Sequence, residues 1–244
     1  MFQNLAHRGA SHYCPENTRS AFYQALALGA NGIETDVRTT KDGQLVLFHD
    51  ESIARVTGRR GNLVDYTYEE MLDVPIRHDK AGACLMAQDR LMLLNDFLKY
   101  IRNETVALAI ELKEDGTEEA VLELLTRYGV MERVTVTSFS FERLALVRQL
   151  NRYTPIGFLS RTYNQAILDK LKTINCGQFC PKAEWLDSEM VTELRKQNFS
   201  IRAWGVKDEA TMERVYGLHI DGMTVNFPDK LCKLMERNSG SPSF

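Results

Sequence analysis

Gly32-Ile33-Glu34-Thr35-Asp36-Val37 is a short apolar run that carries two carboxylates at alternate positions. A strand buried on both faces reads as a near-continuous apolar run, and residues i and i+2 on it point the same way. Glu34 and Asp36 therefore share one direction, at a place where no apolar core accepts them. Two further runs end in the same manner: Ala6-His7-Arg8-Gly9 and Ala109-Ile110-Glu111-Leu112-Lys113. As parallel strands, the three would collect their charged ends at one rim of a sheet.

Outward from these runs, strand-like segments alternate with segments of helical period, the pattern of parallel βα units. Strands are expected at residues 4–6, 32–37, 44–48, 106–112, 134–137, 156–159, 178–179, 200–204 and 220–225. Helices are expected at 16–28, 117–128, 141–150, 163–172, 187–198, 208–216 and 228–237, the first with Pro15 near its start. With 44–48 taken as an extension of the second unit, eight strands remain, and eight βα units in roughly 250 residues make a (β/α)8 TIM barrel. One stretch breaks the alternation. Residues from about 50 to 89 hold turn residues and scattered charge, and are expected to form a small insertion subdomain after the second βα unit. A single barrel domain over 1–238 and a flexible tail over 239–244 complete the organisation.

The chain of 244 residues is 44% hydrophobic and 26% charged, as an ordinary soluble domain is. A net charge of -3 offers no footprint for nucleic acid, so an anionic ligand must be met by local positive charge. Cys14, Cys84, Cys176, Cys180 and Cys232 are odd in number and widely spaced, as reduced thiols in a cytoplasmic protein are. No signal peptide is read at the N-terminus, and no stretch approaches the roughly 18 apolar residues that span a bilayer. The chain is expected to be cytoplasmic with no stable membrane anchor; monomer and homo-oligomer are both left open.

Glu34 and Asp36 on one strand and Glu111 on the next form an all-oxygen cluster suited to a hard divalent cation, Mg2+ or Ca2+. Zinc fits less well, because sulfur and imidazole are missing at ligand spacing. His7 and His49 stand near the same rim. One imidazole can take a proton from an attacking oxygen while the other protonates the leaving oxygen, which an alkyl phosphodiester requires. Arg8 offers a planar fork for phosphate oxygens and Lys113 a point charge.

His7-Arg8-Gly9, Pro15-Glu16-Asn17-Thr18, Gly32 to Val37, Thr40-Lys41-Asp42-Gly43, Val46-Leu47-Phe48-His49-Asp50 and Glu111-Leu112-Lys113 together resemble the signature series of the glycerophosphodiester phosphodiesterases. The resemblance continues through Arg55-Val56-Thr57-Gly58, Thr137-Ser138-Phe139, Ala203-Trp204 and Asn226-Phe227-Pro228-Asp229, and the compact form is similar to the cytosolic bacterial members. It implies a TIM barrel with a small insertion and hydrolysis of small glycerophosphodiesters to sn-glycerol 3-phosphate and an alcohol. It also implies acid/base roles for His7 and His49, a divalent metal on Glu34, Asp36 and Glu111, and phosphate binding by Arg8 and Lys113.

Three segments depart from the family pattern: Trp204-Gly205-Val206-Lys207, Val225-Asn226-Phe227-Pro228 in place of a frequent Thr-Asp-Tyr-Pro, and Leu91 to Asp96 before the second barrel helix. These are expected to alter the alcohol pocket without touching the acid/base or metal set. Trp204 reads equally as a wall of the glycerol pocket or as barrel packing. Asn17 reads first as a helix cap and second as a residue on the substrate side, Phe139 as packing, and His12, His78 and His219 as surface or structural. Two rival functions stand beside the main one: a lysophospholipase D or sphingomyelinase D-like lipid phosphodiesterase, and a non-catalytic barrel that binds phosphodiesters.

Overall fold

The computed structural model describes residues 1–78 and 89–239. Its strands are β1 (Gln3–His7), β2 (Gly32–Thr39), β3 (Leu45–Leu47), β4 (Met92–Leu93), β5 (Ala107–Leu112), β6 (Val134–Ser138), β7 (Ile156–Ser160), β8 (Gln178–Pro181), β9 (Ser200–Val206) and β10 (Gly222–Val225). The helices are α1 (Arg19–Ala27), α2 (Ala54–Thr57), α3 (Tyr68–Met71), α4 (Leu94–Ile101), α5 (Glu118–Arg127), α6 (Phe141–Leu150), α7 (Gln165–Thr173), α8 (Ser188–Lys196), α9 (Glu209–Tyr216) and α10 (Pro228–Ser239).

Eight strands close a parallel barrel in the order β1, β2, β5, β6, β7, β8, β9, β10, with β10 pairing back onto β1. The (β/α)8 expectation holds. Seven of the eight residues of β2 are buried, as a strand with helices outside and side chains inside must be. Helix starts follow capping chemistry: Ser140, Asn164, Asp187 and Asp208 each accept a hydrogen bond from an amide in the first turn of the helix that follows. The main core lies between the outer strand faces and the helices, with the rings of Phe22 of α1 and Phe97 of α4 in tilted contact, centroids 4.6 Å apart.

β3 and β4 are antiparallel and lie outside the barrel. β3 folds back along β2, Val37 opposite Leu47, and β4 adds beyond it. They root the insertion, which also contains α2, α3 and a short 3-10 turn at Leu63–Asp65. It follows the second barrel strand directly, and α4, the helix of that unit, comes after it. Val46, Phe48, Ile53, Val56, Leu63, Met71 and their neighbours form a separate apolar cluster beneath it. A capping box between Thr67 and Glu70 starts α3.

The first helix begins later than its period suggests. α1 starts at Arg19 with Thr18 as its cap, so Pro15 precedes the helix and Asn17 is not the cap. The second barrel helix, placed after Leu91 to Asp96 without bounds, is α4; it starts at Leu94, inside that segment, and buries Leu94, Phe97, Leu98 and Ile101. The expected tail, from residue 240 on, and Cys84 fall outside the described residues; Cys14, Cys176, Cys180 and Cys232 form no disulfide. Among the described residues no helix is long and apolar enough to cross a membrane.

Candidate active site

Strand register gathers the site. His7 lies opposite Glu34 where β1 pairs with β2, and Asp36 lies opposite Glu111 where β2 pairs with β5. His7 ends β1 and Glu111 is next to last in β5, at the carboxyl-terminal face where such barrels carry function, while β2 runs on past Glu34 and Asp36 to pair with β3. Glu34, Asp36 and Glu111 are buried, and each offers an oxygen within 4.8 Å of the others. Asp36 Oδ1 is buried without a hydrogen-bond partner.

The electrostatics of this trio call for a cation. Burial, with Asp36 and Glu111 adding repulsion, pushes Glu34 up to about 8. Burial and the Asp36 charge push Glu111 up to about 7. Burial acts in the same upward sense on Asp36, but Arg8, His49 and Lys113 overcome it and hold that carboxyl well below its usual range. An all-oxygen set with one orphaned buried oxygen fits a hard divalent ion, which would relieve the repulsion.

Two cations border the trio. Lys113 Nζ is 2.7 Å from Glu111 Oε1 and 3.7 Å from Asp36 Oδ1. Arg8 has a left-handed backbone, φ 55°, and its amide donates to the Glu34 carbonyl at 2.8 Å and to Glu34 Oε2 at 3.1 Å. Its guanidinium forms an ion pair with Asp36, Nε to Oδ2 3.0 Å, and its Nη1 donates to Glu16 Oε1 at 2.9 Å. Gly9 follows at φ 80°, and a Cβ there would lie 2.5 Å from the backbone carbon of Ala21. Only glycine lets this turn press against α1 and aim Arg8 inward.

His7 and His49 reach the rim by different routes. His7 ends β1, its Nδ1 2.6 Å from Asn226 Oδ1 and its Nε2 4.0 Å from Glu34 Oε2. Burial, then Arg8, lowers its pKa, although a third of the side chain faces the mouth and is tempered by solvent. His49 arrives from the antiparallel ribbon. β3 returns alongside β2 until the Phe48 amide donates to the Asp36 carbonyl at 3.1 Å, which brings His49 to the level of the carboxylates. Its Nδ1 is 2.6 Å from Asp50 Oδ1, and burial lowers its pKa while Asp36 opposes the shift.

Several participants escape a reading of the sequence alone. Glu16 accepts two hydrogen bonds from Arg55, Nη1 to Oε2 2.7 Å and Nη2 to Oε1 2.6 Å, and Arg55 Nε donates to Asp50 Oδ2 at 2.6 Å. Arg55 of the insertion thus joins the His49–Asp50 pair to the Glu16–Arg8 pair. Asn17 donates to Asp36 Oδ2 at 3.1 Å and accepts from Thr35 Oγ1 at 2.7 Å, so it holds the buried carboxylate instead of capping α1. Asn226, expected to leave the acid/base set untouched, bonds directly to His7. Their signal is present, since all of them, Asn226 included, stand inside the quoted segments, but their partners across the fold are not readable there.

An aromatic pair stands where β6 and β9 end. Trp204 Nε1 donates to the Cys180 carbonyl at 3.1 Å, and its ring meets Phe139 edge-on at 5.2 Å. Arg161 covers the other ring at 4.5 Å. Trp204 is half-buried. His12 and His78, read as peripheral, line a cavity with His7.

Barrel, charged rim and paired imidazoles define the class as a (β/α)8-barrel phosphoric diester hydrolase. The chain belongs to the glycerophosphoryl diester phosphodiesterase family, whose sequence profile matches residues 7–230. A glycerophosphodiester phosphodiesterase of Bacillus altitudinis is 34% identical to it, over 97% of this chain and 99% of its own. Another from Caldanaerobacter subterraneus subsp. tengcongensis is 31% identical, over 96% of this chain and 97% of its own. The fold is shared with an Oleispira antarctica phosphodiesterase solved in complex with the product sn-glycerol-3-phosphate, at a TM-score of 0.88 and 23% identity, covering 96% of each chain.

Proposed function

We propose that this chain hydrolyses glycerophosphodiesters to sn-glycerol 3-phosphate and an alcohol, with His7 and His49 as the proton-transfer pair. The reading is supported by a buried carboxylate cluster flanked by Arg8 and Lys113, with His7 beside Glu34 and with both imidazoles in electrostatic reach of Asp36. Glu34, Asp36 and Glu111 would hold Mg2+ or Ca2+, which when bound supplies Lewis-acid stabilisation of charge on phosphate oxygens. Arg8 and Lys113 orient those oxygens and offset the charge that builds on them.

The two imidazoles differ in what stands behind them. Asn226, a neutral amide, accepts from His7 Nδ1 and leaves Nε2 with a free lone pair toward the rim. A ring held neutral this way is fit to take a proton. Asp50, a carboxylate, accepts from His49 Nδ1 and favours the protonated ring, which is fit to give one. His7 is therefore assigned as base and His49 as acid. Trp204 and Phe139 wall the side where the glycerol lies.

The test is glycerol 3-phosphate release from several glycerophosphodiesters by metal-stripped enzyme resupplied with each cation. His7→Ala and His49→Ala should each lower turnover by about 100-fold or more with the fold retained. Unchanged turnover in either variant would remove the mechanism, and no turnover with any cation would favour a non-catalytic binding barrel.

A further inference from the structure

His49 stands beyond the end of β3, outside its strand ladder. Its carbonyl belongs to the peptide bond that joins it to Asp50, and that oxygen accepts from Arg38 Nε at 2.9 Å. The same peptide links the imidazole to the carboxylate behind it, so a rotation there would move both groups at once. Arg38 thus grips the backbone at the point from which the His49–Asp50 pair would swing.

Arg38 is itself fixed. It is buried, at the alternate position of β2 that follows Glu34 and Asp36. Its Nη1 donates to Glu114 Oε2 at 3.2 Å, and Glu114 Oε1 accepts from both the amide and the hydroxyl of Thr39. Glu114 comes directly after Lys113, whose amide donates to the Val37 carbonyl at 3.2 Å, so the pair continues the contact of β2 with β5 past the end of β5. A buried ion pair adds little net stability, because desolvation offsets the attraction, and its effect is to hold its partners in one arrangement. This one ties the His49 peptide to the strand end that carries Glu111 and Lys113.

Resting on the reading of His49 as the proton donor of a glycerophosphodiester hydrolase, we infer that Arg38 and Glu114 are positioning residues, which hold the His49 ring where it can protonate the departing alcohol. Both act through the His49 backbone and take no part in the proton transfer. An alkoxide must receive a proton as it leaves, whereas p-nitrophenolate departs without one. Residues that place the donor should therefore matter for an alkyl diester and much less for a nitrophenyl diester.

The experiment measures kcat/KM for two probes, the glycerol phosphate diesters of glycerol and of p-nitrophenol, and takes the ratio of the first value to the second. An unfolded fraction lowers both values equally, so the ratio reports donor placement and not folding. His49→Ala should lower the ratio by about 100-fold. Arg38→Met should lower it by about tenfold, the scale of a donor displaced by less than about 1 Å. Arg38→Lys keeps the charge but lacks the fork that makes both contacts, and should not restore the ratio. Glu114→Gln, the milder change, should lower it by about threefold, and the double variant should fall no further than Arg38→Met alone. Equal losses on the two probes in Arg38→Met and Glu114→Gln overturn this inference and leave the hydrolase standing. An unchanged ratio in His49→Ala removes His49 as the donor, and this inference with it.

Discussion

His7 Nδ1 and Asn226 Oδ1 lie 2.6 Å apart although 219 positions separate them in the chain. At the other imidazole, 2.6 Å separates His49 Nδ1 from the carboxylate of its own neighbour, Asp50. Two rings of the same chemistry are thereby given unlike backing, one neutral and one anionic, and the proposed division of labour between base and acid rests on it.

Replacing the amide by a carboxylate tests that division. Asn226→Asp puts an anion against His7 and should raise its pKa by about 1 unit or more. A base must be deprotonated to work, so the acid limb of the kcat/KM profile should move to higher pH by the same amount. The basic limb should stay in place. Movement of the basic limb alone would reverse the assignment of the two histidines.

The carboxylate cluster makes a prediction about stability. Glu34 and Glu111 have folded-state pKa values raised to about 8 and about 7. Their protonated forms favour the folded state below the ordinary carboxylate range, and that contribution is lost as pH rises through those values. Lowered His7 acts in the opposite sense, favouring the folded state above about 6.5 and losing that effect as pH falls. Metal-free protein should therefore lose Tm as pH rises from about 6.5 to 8.5, and Mg2+ or Ca2+ should restore it while releasing protons. Thermal scans with and without chelator, and titration calorimetry in two buffers of different ionisation enthalpy, check this. A flat Tm profile insensitive to cation would exclude the cluster as a metal site.

Arg55 and Asp50 act on His49 with opposite sign. Arg55→Met removes a cation that neutralises Asp50, so His49 should become more basic and the basic limb of the pH profile should move up. Asp50→Asn removes the anion itself, and that limb should move down. Both should lower kcat by about tenfold through lost ring orientation, equivalent to 1.4 kcal/mol. Shifts of the same sign in the two variants would show that the bridge serves only structure.

Gly9→Ala should be among the most damaging single-atom additions in the chain. The new Cβ would sit 2.5 Å from the backbone of Ala21 at a φ of 80°, so both the turn and α1 must move. A loss of about 3 kcal/mol is expected from clash and strain together. Denaturant unfolding measures it, and a loss below about 1 kcal/mol would mean that α1 yields easily.

Much of the fold was legible because parallel strands buried on both faces read as apolar runs, and charge within Gly32 to Val37 stood out against that background. The eight units and the metal-ligating candidates came from that contrast. The start of α4 is not legible because Leu94 follows β4 without a polar cap, so the helix begins inside the segment read as preceding it. Asn17 was misread for a reason equally physical. Asn favours caps, but Thr18 takes that position and the left-handed backbone of Asn17, φ 57°, turns its amide toward Asp36. Asn226 and Arg55 show the general limit: their partners lie 219 and 39 positions away, and only the closed barrel sets them side by side.

The insertion has its own apolar cluster, separate from that of the barrel, yet its Arg55 braces both halves of the rim. A small cooperative unit can open without the larger one. On warming, the rim would lose its brace while the barrel still stood, so the temperature at which turnover fails should lie below the temperature at which the helices melt. The working range of this protein is then set by its smallest part, and amide exchange over residues 54–71 would report that ceiling sooner than any probe of the barrel.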